Sequence, residues 1–295
     1  MVTSSESDAV AIVVNYNAGE WLRACIESIL HSEHEAKIVI VDNASVDESI
    51  AGLGACADGV ELIRNTENAG FARANNQVLK SHSAEFYVLV NPDCIVEKDT
   101  IGTVISAMRK DKDIGLASCV IRNADRSIQK TCRRRFPTPA SALARTLGLS
   151  TLWPGKSGNF DYGDEQANSG VEFVEAISGA FMVARESVLA SVGYLDEGYF
   201  MHCEDLDWCK RFWQAGFKVA FVADVFVTHA KGASGRTLRV NWHLHQGMLR
   251  FYRKFYQSEY PRILLVLVYI GVFFSFLGRS IMIVLRGRHS GVKRV

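Results

Sequence analysis

The chain has 295 residues, long for one domain and short for two full ones. Hydrophobic residues make up 48% and charged residues 22%, enough apolar material for a large core. The formal net charge of +1 argues against a protein built mainly to hold nucleic acid.

There are seven cysteines, at positions 25, 56, 94, 119, 132, 203 and 209. The number is odd, no CxxC occurs, and several sit inside apolar runs. They read as buried thiols of a reducing compartment. The opening MVTSSESDAV has no basic region followed by an apolar one, so no secretory signal is expected and the protein should work on the cytoplasmic side.

Apolar, β-rich runs recur in the first half: Val10–Val14, Ile38–Val41, Val60–Ile63, Phe86–Val90 and Ile114–Cys119. Segments of helical periodicity lie between them, at Trp21–Leu30, Val46–Leu53, Phe71–Leu79 and Ile101–Met108. Short continuous strands alternating with amphipathic helices predict an α/β fold with a mostly parallel, Rossmann-like sheet. After residue 120 the rhythm breaks. IRNADRSIQ predicts a hairpin turning at Asn123–Arg126, followed by the basic stretch KTCRRRFPTP. Alternation returns over residues 171–184. Helices are expected at Glu186–Val192, Leu206–Ala215 and Asn241–Tyr256, and two strands at Lys218–Phe221 and Val225–His229.

Ligands of such sheets bind at the carboxyl ends of the strands. The polar residues there are Asn15 and Asn17, Asp42 and Asn43, Arg64 and Asn65, and Asn91 and Asp93. Gly70 precedes the helix carrying Arg73, and a helix N-terminus beside a basic side chain suits a nucleotide diphosphate. Asp42 can accept hydrogen bonds from a base or ribose, or can serve as a turn acid. Asp93 can hold a divalent ion across two phosphates, or can belong to an ordinary Asn-Pro-Asp turn. In YFMHCEDLDWCKRF, the acids Glu204, Asp205 and Asp207 fit either a solvated helix start or a reaction centre. His202, Cys203, Cys209 and His229 lack standard zinc spacing.

Taken together these segments are more specific. VVNYN, VDNASVD, NAGFARANN, VNPDC, ISGAFMVARES and FMHCEDLDWCKRFWQAGFKVAFV followed by VTHAKGAS span about residues 10–236. The set resembles the inverting family 2 glycosyltransferases of the GT-A fold. Within them it looks most like the bacterial rhamnosyltransferases of surface-polysaccharide synthesis.

The resemblance implies a role for each matching residue. Asn15 and Asp42 would contact base and ribose, with Arg73 near the base or diphosphate. Asp93 stands where the last acid of the metal-binding DxD motif falls, and Asn91 replaces the first. His229 would add a metal or diphosphate contact. Lys231, Ser234 and Arg236 would close over the diphosphate. Asp205 falls on the acid of the ED motif, the general base, with Glu204 orienting it or the acceptor hydroxyl. Asp207 is the first-turn acid, favoured by the helix dipole. The implied cofactor is Mg2+ or Mn2+. The implied donor is dTDP-L-rhamnose, with UDP-GlcNAc or UDP-galactose as alternatives, and the implied acceptor is a polyprenyl-diphosphate-linked glycan.

The implied organisation is a nucleotide-sugar half over residues 1–120 and an acceptor-binding, catalytic half of the same GT-A domain over 121–256. A C-terminal apolar helix and basic tail follow over 257–295. A sugar nucleotidylyltransferase is disfavoured because VVNYNAGEWL lacks the glycine-rich basic signature. An inactive membrane-bound scaffold of the same fold is the competing class.

Ile263–Leu285 is nearly all apolar and interrupted by Arg279. Basic residues flank it on both sides, so no inside/outside asymmetry marks a span. The segment is roughly long enough for one span, but the favoured reading is a helix lying in the membrane interface or entering one leaflet on the cytoplasmic face, with a true span and a soluble core helix as the alternatives. The run Arg133-Arg134-Arg135 is then expected to bind the acceptor pyrophosphate or anionic headgroups, against the alternative of a solvated face.

Overall fold

The computed structural model describes residues 7–146, 169–230 and 237–291. Valine and isoleucine dominate the early strands because both sheet faces are covered. Each such side chain fully buried contributes about 1.5–3 kcal/mol. In chain order, β1 (Ala9–Asn15), α1 (Glu20–Leu30), β2 (Lys37–Asp42), β3 (Val60–Arg64), α2 (Phe71–Ser81) and β4 (Phe86–Val90) form the first half. Then come β5 (Cys94–Val96), α3 (Thr100–Lys110), β6 (Ile114–Arg122), β7 (Arg133–Arg134) and α4 (Pro139–Thr146). They are followed by β8 (Val171–Phe173), β9 (Ala176–Ile177), β10 (Phe181–Arg185), α5 (Leu189–Val192) and α6 (Glu204–Gln214). The chain continues through β11 (Lys218–His229), α7 (Leu238–Tyr256) and α8 (Arg262–Gly291).

The main sheet has the order β3-β2-β1-β4-β10-β6-β11-β5, with β8 paired to β11. β1, β2, β3 and β4 run parallel, and β10 runs against both β4 and β6. β6 and β11 are parallel to each other, while β5 and β8 run against β11. The sheet is therefore mixed but mostly parallel, and the ends of β1, β2, β3, β4, β6 and β11 share one edge. β7 and β9 form a separate two-stranded ribbon.

Two segments differ from expectation. Val46–Leu53 is not a helix: a turn leads into a short 3-10 stretch, Ala51–Ala57, kinked at Gly54. The side chains that would face solvent on a helix are engaged instead. Asp47 accepts from the Gly19 N–H at 2.8 Å and the Ser49 hydroxyl at 2.5 Å, and Ser45 and Ser49 accept from Asn15. Such side-chain bonds compete with helix formation. The two strands expected over 218–229 are one strand, β11, with a register shift between Val222 and Phe226. The residues that read as a gap are a bulge. The expected hairpin at Asn123–Arg126 is present as a turn, closed by the Asn123 N–H on Ser127 O at 2.8 Å.

The chain divides into two compact units, which do not follow chain order. One holds the sheet with α1, α2, α3, α5 and α6. Trp208 and Phe212 are fully buried there and meet edge to face. The other holds α4, α7, α8 and residues 198–203. In this second unit Asn241 of α7 donates to Phe276 O at 3.1 Å and Ser280 Oγ at 2.9 Å on α8. Leu265, Val268 and Val272 of α8 are buried, while Ile263, Val266, Ile270, Phe273 and Phe274 are exposed. All seven cysteines are free and all except Cys56 are buried.

Candidate active site

The parallel strands deliver their polar termini to one edge, with Asn15 opposite Asp42 and Asp42 opposite Arg64. Asn15 is fully buried. Its Nδ2 donates to Asp42 Oδ1 at 2.8 Å and to the hydroxyls of Ser45 and Ser49 at 2.9 Å. Asn15 therefore orients Asp42 from a fully buried position at the end of β1. Asn43, Asn65 and Gln77 continue the network: Gln77 donates to Asn65, Asn65 to Asn43, and Asn43 to Gly70 O. Asp42, Asp47 and Arg64 line a cavity of about 410 Å³. A larger cavity of about 620 Å³, lined by residues of α3 together with His34 and Phe173, contains none of the candidate residues.

Gly70 caps α2 with φ 84° and ψ 170°, a region that excludes side chains. No side chain caps that helix end, so its first N–H groups stay open. Arg73 is exposed in the first turn.

Asp93 follows β4, and Asn91, half-buried, holds its backbone N–H on Ala180 O at 2.9 Å. β5 and β11 pair Cys94 with His229, which carries the imidazole to the carboxylate. His229 Nε2 lies 3.0 Å from Asp93 Oδ1. On the ring's other side sits Gln129, buried and unforeseen from sequence. Its Nε2 donates to His229 O at 3.1 Å, which turns its Oε1 to His229 Nδ1 at 3.3 Å. An acceptor there assigns the hydrogen to Nδ1. Nε2 and the carboxylate are then two acceptors in contact, which requires a proton or a cation shared between them. Cys94 is the third nearby ligand type. Burial pushes its thiol well above the ordinary value, so the ready donors are one carboxylate and one imidazole. That set fits Mn2+ or Mg2+, with phosphate and water completing the shell. Among the described residues this is the one such cluster, and the zinc reading of His202, Cys203, Cys209 and His229 has no counterpart.

Glu204 and Asp205 open α6, directly after two consecutive non-glycine residues, His202 and Cys203, both at φ 69°. Left-handed backbone of this kind carries strain and clusters at functional sites. Asp205 is held by three donors. Arg134 Nη2 reaches Oδ2 at 2.5 Å, the Gly179 N–H reaches the same oxygen at 3.0 Å, and the Leu206 N–H reaches Oδ1 at 2.7 Å. Glu204 is buried, and its Oε2 has no hydrogen-bond partner among the described residues. Burial first, and then the charge of Asp205, push the Glu204 carboxyl up to about 8. At neutral pH Glu204 is therefore a neutral acid beside the aspartate. Asp207, expected as a first-turn acid, is in the first turn but fully buried and paired with Arg211 at 2.6 Å.

Two of the three arginines of the run are engaged within the protein. Arg133 is buried and pairs with Glu172 at 2.6 Å, and Arg134 pairs with Asp205. The β7–β9 ribbon turns them inward. Ile177, Gly179 and Ala180 form a backbone bridge between the two acidic clusters. Ile177 O accepts from Arg134, Gly179 N–H serves Asp205, and Ala180 O serves Asn91 and the Cys94 thiol. Lys231, Ser234 and Arg236 lie outside the described residues.

The chain matches the sequence profile of Glycosyl transferase family 2 over residues 10–166. It is 25% identical over 244 residues to rhamnosyltransferase WbbL of Escherichia coli K12, across 79% of this chain and 88% of that one. It is 24% identical over 235 residues to N-acetylglucosaminyl-diphospho-decaprenol L-rhamnosyltransferase of Mycobacterium tuberculosis, across 76% of each chain. Among solved structures, mannosyltransferase PcManGT from Pyrobaculum calidifontis, in complex with GDP-Man and Mn2+, matches with a TM-score of 0.58 at 16% identity. That match covers 97% of this chain and 81% of the other, and it shows the fold, which is GT-A.

Proposed function

Because the chain belongs to glycosyltransferase family 2, we propose that it moves L-rhamnose from dTDP-L-rhamnose, with inversion, onto a polyprenyl-diphosphate-linked or growing cell-surface glycan. The observation that carries this reading is a pair of separately held acids served by one backbone bridge: Asp93 with His229, and Asp205 with Arg134.

The nucleoside takes the cavity beside Asp42, whose carboxylate is aimed by Asn15. Arg73, Asn91 and the N-terminal end of α2 serve the diphosphate. Asp93 and His229 hold Mg2+ or Mn2+, which when bound neutralises charge on the diphosphate. The acceptor hydroxyl oxygen attacks the anomeric carbon from the face opposite the diphosphate. A new C–O bond forms, the bond to the diphosphate oxygen breaks with its electrons leaving on the nucleoside diphosphate, and the hydroxyl proton passes to Asp205. Glu204, kept neutral, spares the site a second negative charge beside the base.

The exposed stripe on α8 suits a lipid surface, and Arg279 lies on the opposite helical face from Phe273 and Phe274. The Arg262–Arg286 stretch is also long and apolar enough to cross a membrane, so the reading is membrane association through α8. The cytoplasmic face is where the donor would be found. Truncation after Tyr260 is expected to release the protein from membranes, and persistent binding would move the anchor elsewhere.

Thermal-shift titration with Mn2+ and a nucleotide panel tests the donor. Stabilisation by dTDP and dTDP-rhamnose but not by UDP, UDP-GlcNAc or UDP-galactose is expected. A UDP-only response would replace the donor, and no response to any nucleotide would end the transferase reading.

A further inference from the structure

We propose that Arg134 is a positioning residue for the base: it fixes Asp205 in one orientation, with Oδ1 alone left to receive the acceptor proton. The proposal rests on the reading of Asp205 as base.

The placement is built in several steps. β7 pairs with β9 so that Arg134 stands opposite Ala176, beside the start of the bridge. Its Nη2 donates both to Ile177 O at 2.6 Å and to Asp205 Oδ2 at 2.5 Å. The backbone contact fixes the guanidinium before it meets the carboxylate, and a planar guanidinium holds both partners at set angles. The two side chains are only 17% and 13% exposed, so water screens the pair little. Arg134 and Gly179 together saturate Oδ2 with charge-assisted bonds. Oδ1 accepts only the Leu206 N–H among the described residues and keeps a lone pair.

Three consequences follow from the chemistry. Arginine stays protonated under all working conditions, so Arg134 cannot relay the proton onward, and it rests on Oδ1 until products leave. The cation at Oδ2 already neutralises Asp205, which removes it as a metal ligand and leaves that work to Asp93. An anionic acceptor group would have to break an internal ion pair to reach Arg134, so the arginine serves the base in preference to a phosphate.

The test compares Arg134→Met, Arg134→Lys and Arg134→Ala in the full chain, with dTDP-rhamnose and a short-chain polyprenyl-diphospho-N-acetylglucosamine as probes. The expected result for Arg134→Met is a fall in kcat of about 10- to 100-fold at unchanged donor KM. Arg134→Lys should recover part of the loss, and added methylguanidinium should partly rescue Arg134→Ala. Transfer within about twofold of the parent for Arg134→Met would overturn the proposal. So would donor KM and melting temperature collapsing with kcat, because that marks a structural role alone. Crystal structures of the parent and Arg134→Met read the carboxylate directly. Asp205 should leave its Gly179 contact in the variant, and an unmoved carboxylate would refute the proposal whatever the assays show. Nucleotide stabilisation in the same preparations separates failure of the transferase reading, since Arg134 pairs with Asp205, which is assigned to the acceptor proton.

Discussion

Asp93 and Asp205 are acids of the same type, nearly equally buried at 6% and 9% exposure, on two sides of one backbone bridge. Their partners differ. Asp93 faces an imidazole whose far nitrogen is occupied by Gln129, so the near one offers a lone pair. Asp205 faces a guanidinium, which offers only protons. The first arrangement needs a proton or a cation between its two groups. The second already contains its cation and has one oxygen to spare. Burial thus sets the cost of a charge, while the partner decides what the charge can do.

The largest expected effect breaks the Asp205 side. Asp205→Asn keeps the shape but cannot accept the proton, and transfer should fall by about 10²- to 10⁴-fold while nucleotide stabilisation persists. Near-normal turnover would remove Asp205 as base. A smaller effect sharpens the Asp93 side. Gln129→Leu frees Nδ1 from its acceptor, and divalent-ion affinity measured by calorimetry should weaken by about 10- to 100-fold. Unchanged affinity would make Gln129 a packing residue only.

The smallest effect concerns the neighbour that keeps the two acids from repelling. Glu204 ionises near 4.5 in the unfolded chain and near 8 in the folded one, for reasons of burial first and the Asp205 charge second. Between those values the folded state binds the extra proton. The stability this group contributes is complete below about 4.5 and is lost as pH rises through about 8. Glu204→Gln cannot ionise, so its melting temperature should exceed the parent's by a margin that grows from pH 5.5 to pH 8.5. An equal margin at both pH values would contradict a buried neutral acid.

The first half of the chain was legible because β1, β2 and β4 are buried on both faces and appear as apolar runs followed by polar residues, while β3 is half-buried and carries Glu61. Asp93, His229 and Asp205 stood at motif positions and could be named. What escaped was long-range. Gln129 meets His229 across 100 residues of chain, and no local pattern marks it. Arg134 was visible as charge, but its partner lies 71 residues away, and a basic run reads as surface until a ribbon turns it inward. The helix expected at Val46–Leu53 failed for a related reason: its Ser49 and Asp47 bond to Asn15 and Gly19 in preference to solvent.

The division between the two acids is tested most directly by Mn2+ binding, titrated by electron paramagnetic resonance in the presence of dTDP. Asp93→Asn should lose most of the Mn2+ affinity, and Asp205→Asn should keep it within about twofold of the parent. Loss of affinity in Asp205→Asn, or its retention in Asp93→Asn, would contradict the assignment of metal to one acid and proton to the other.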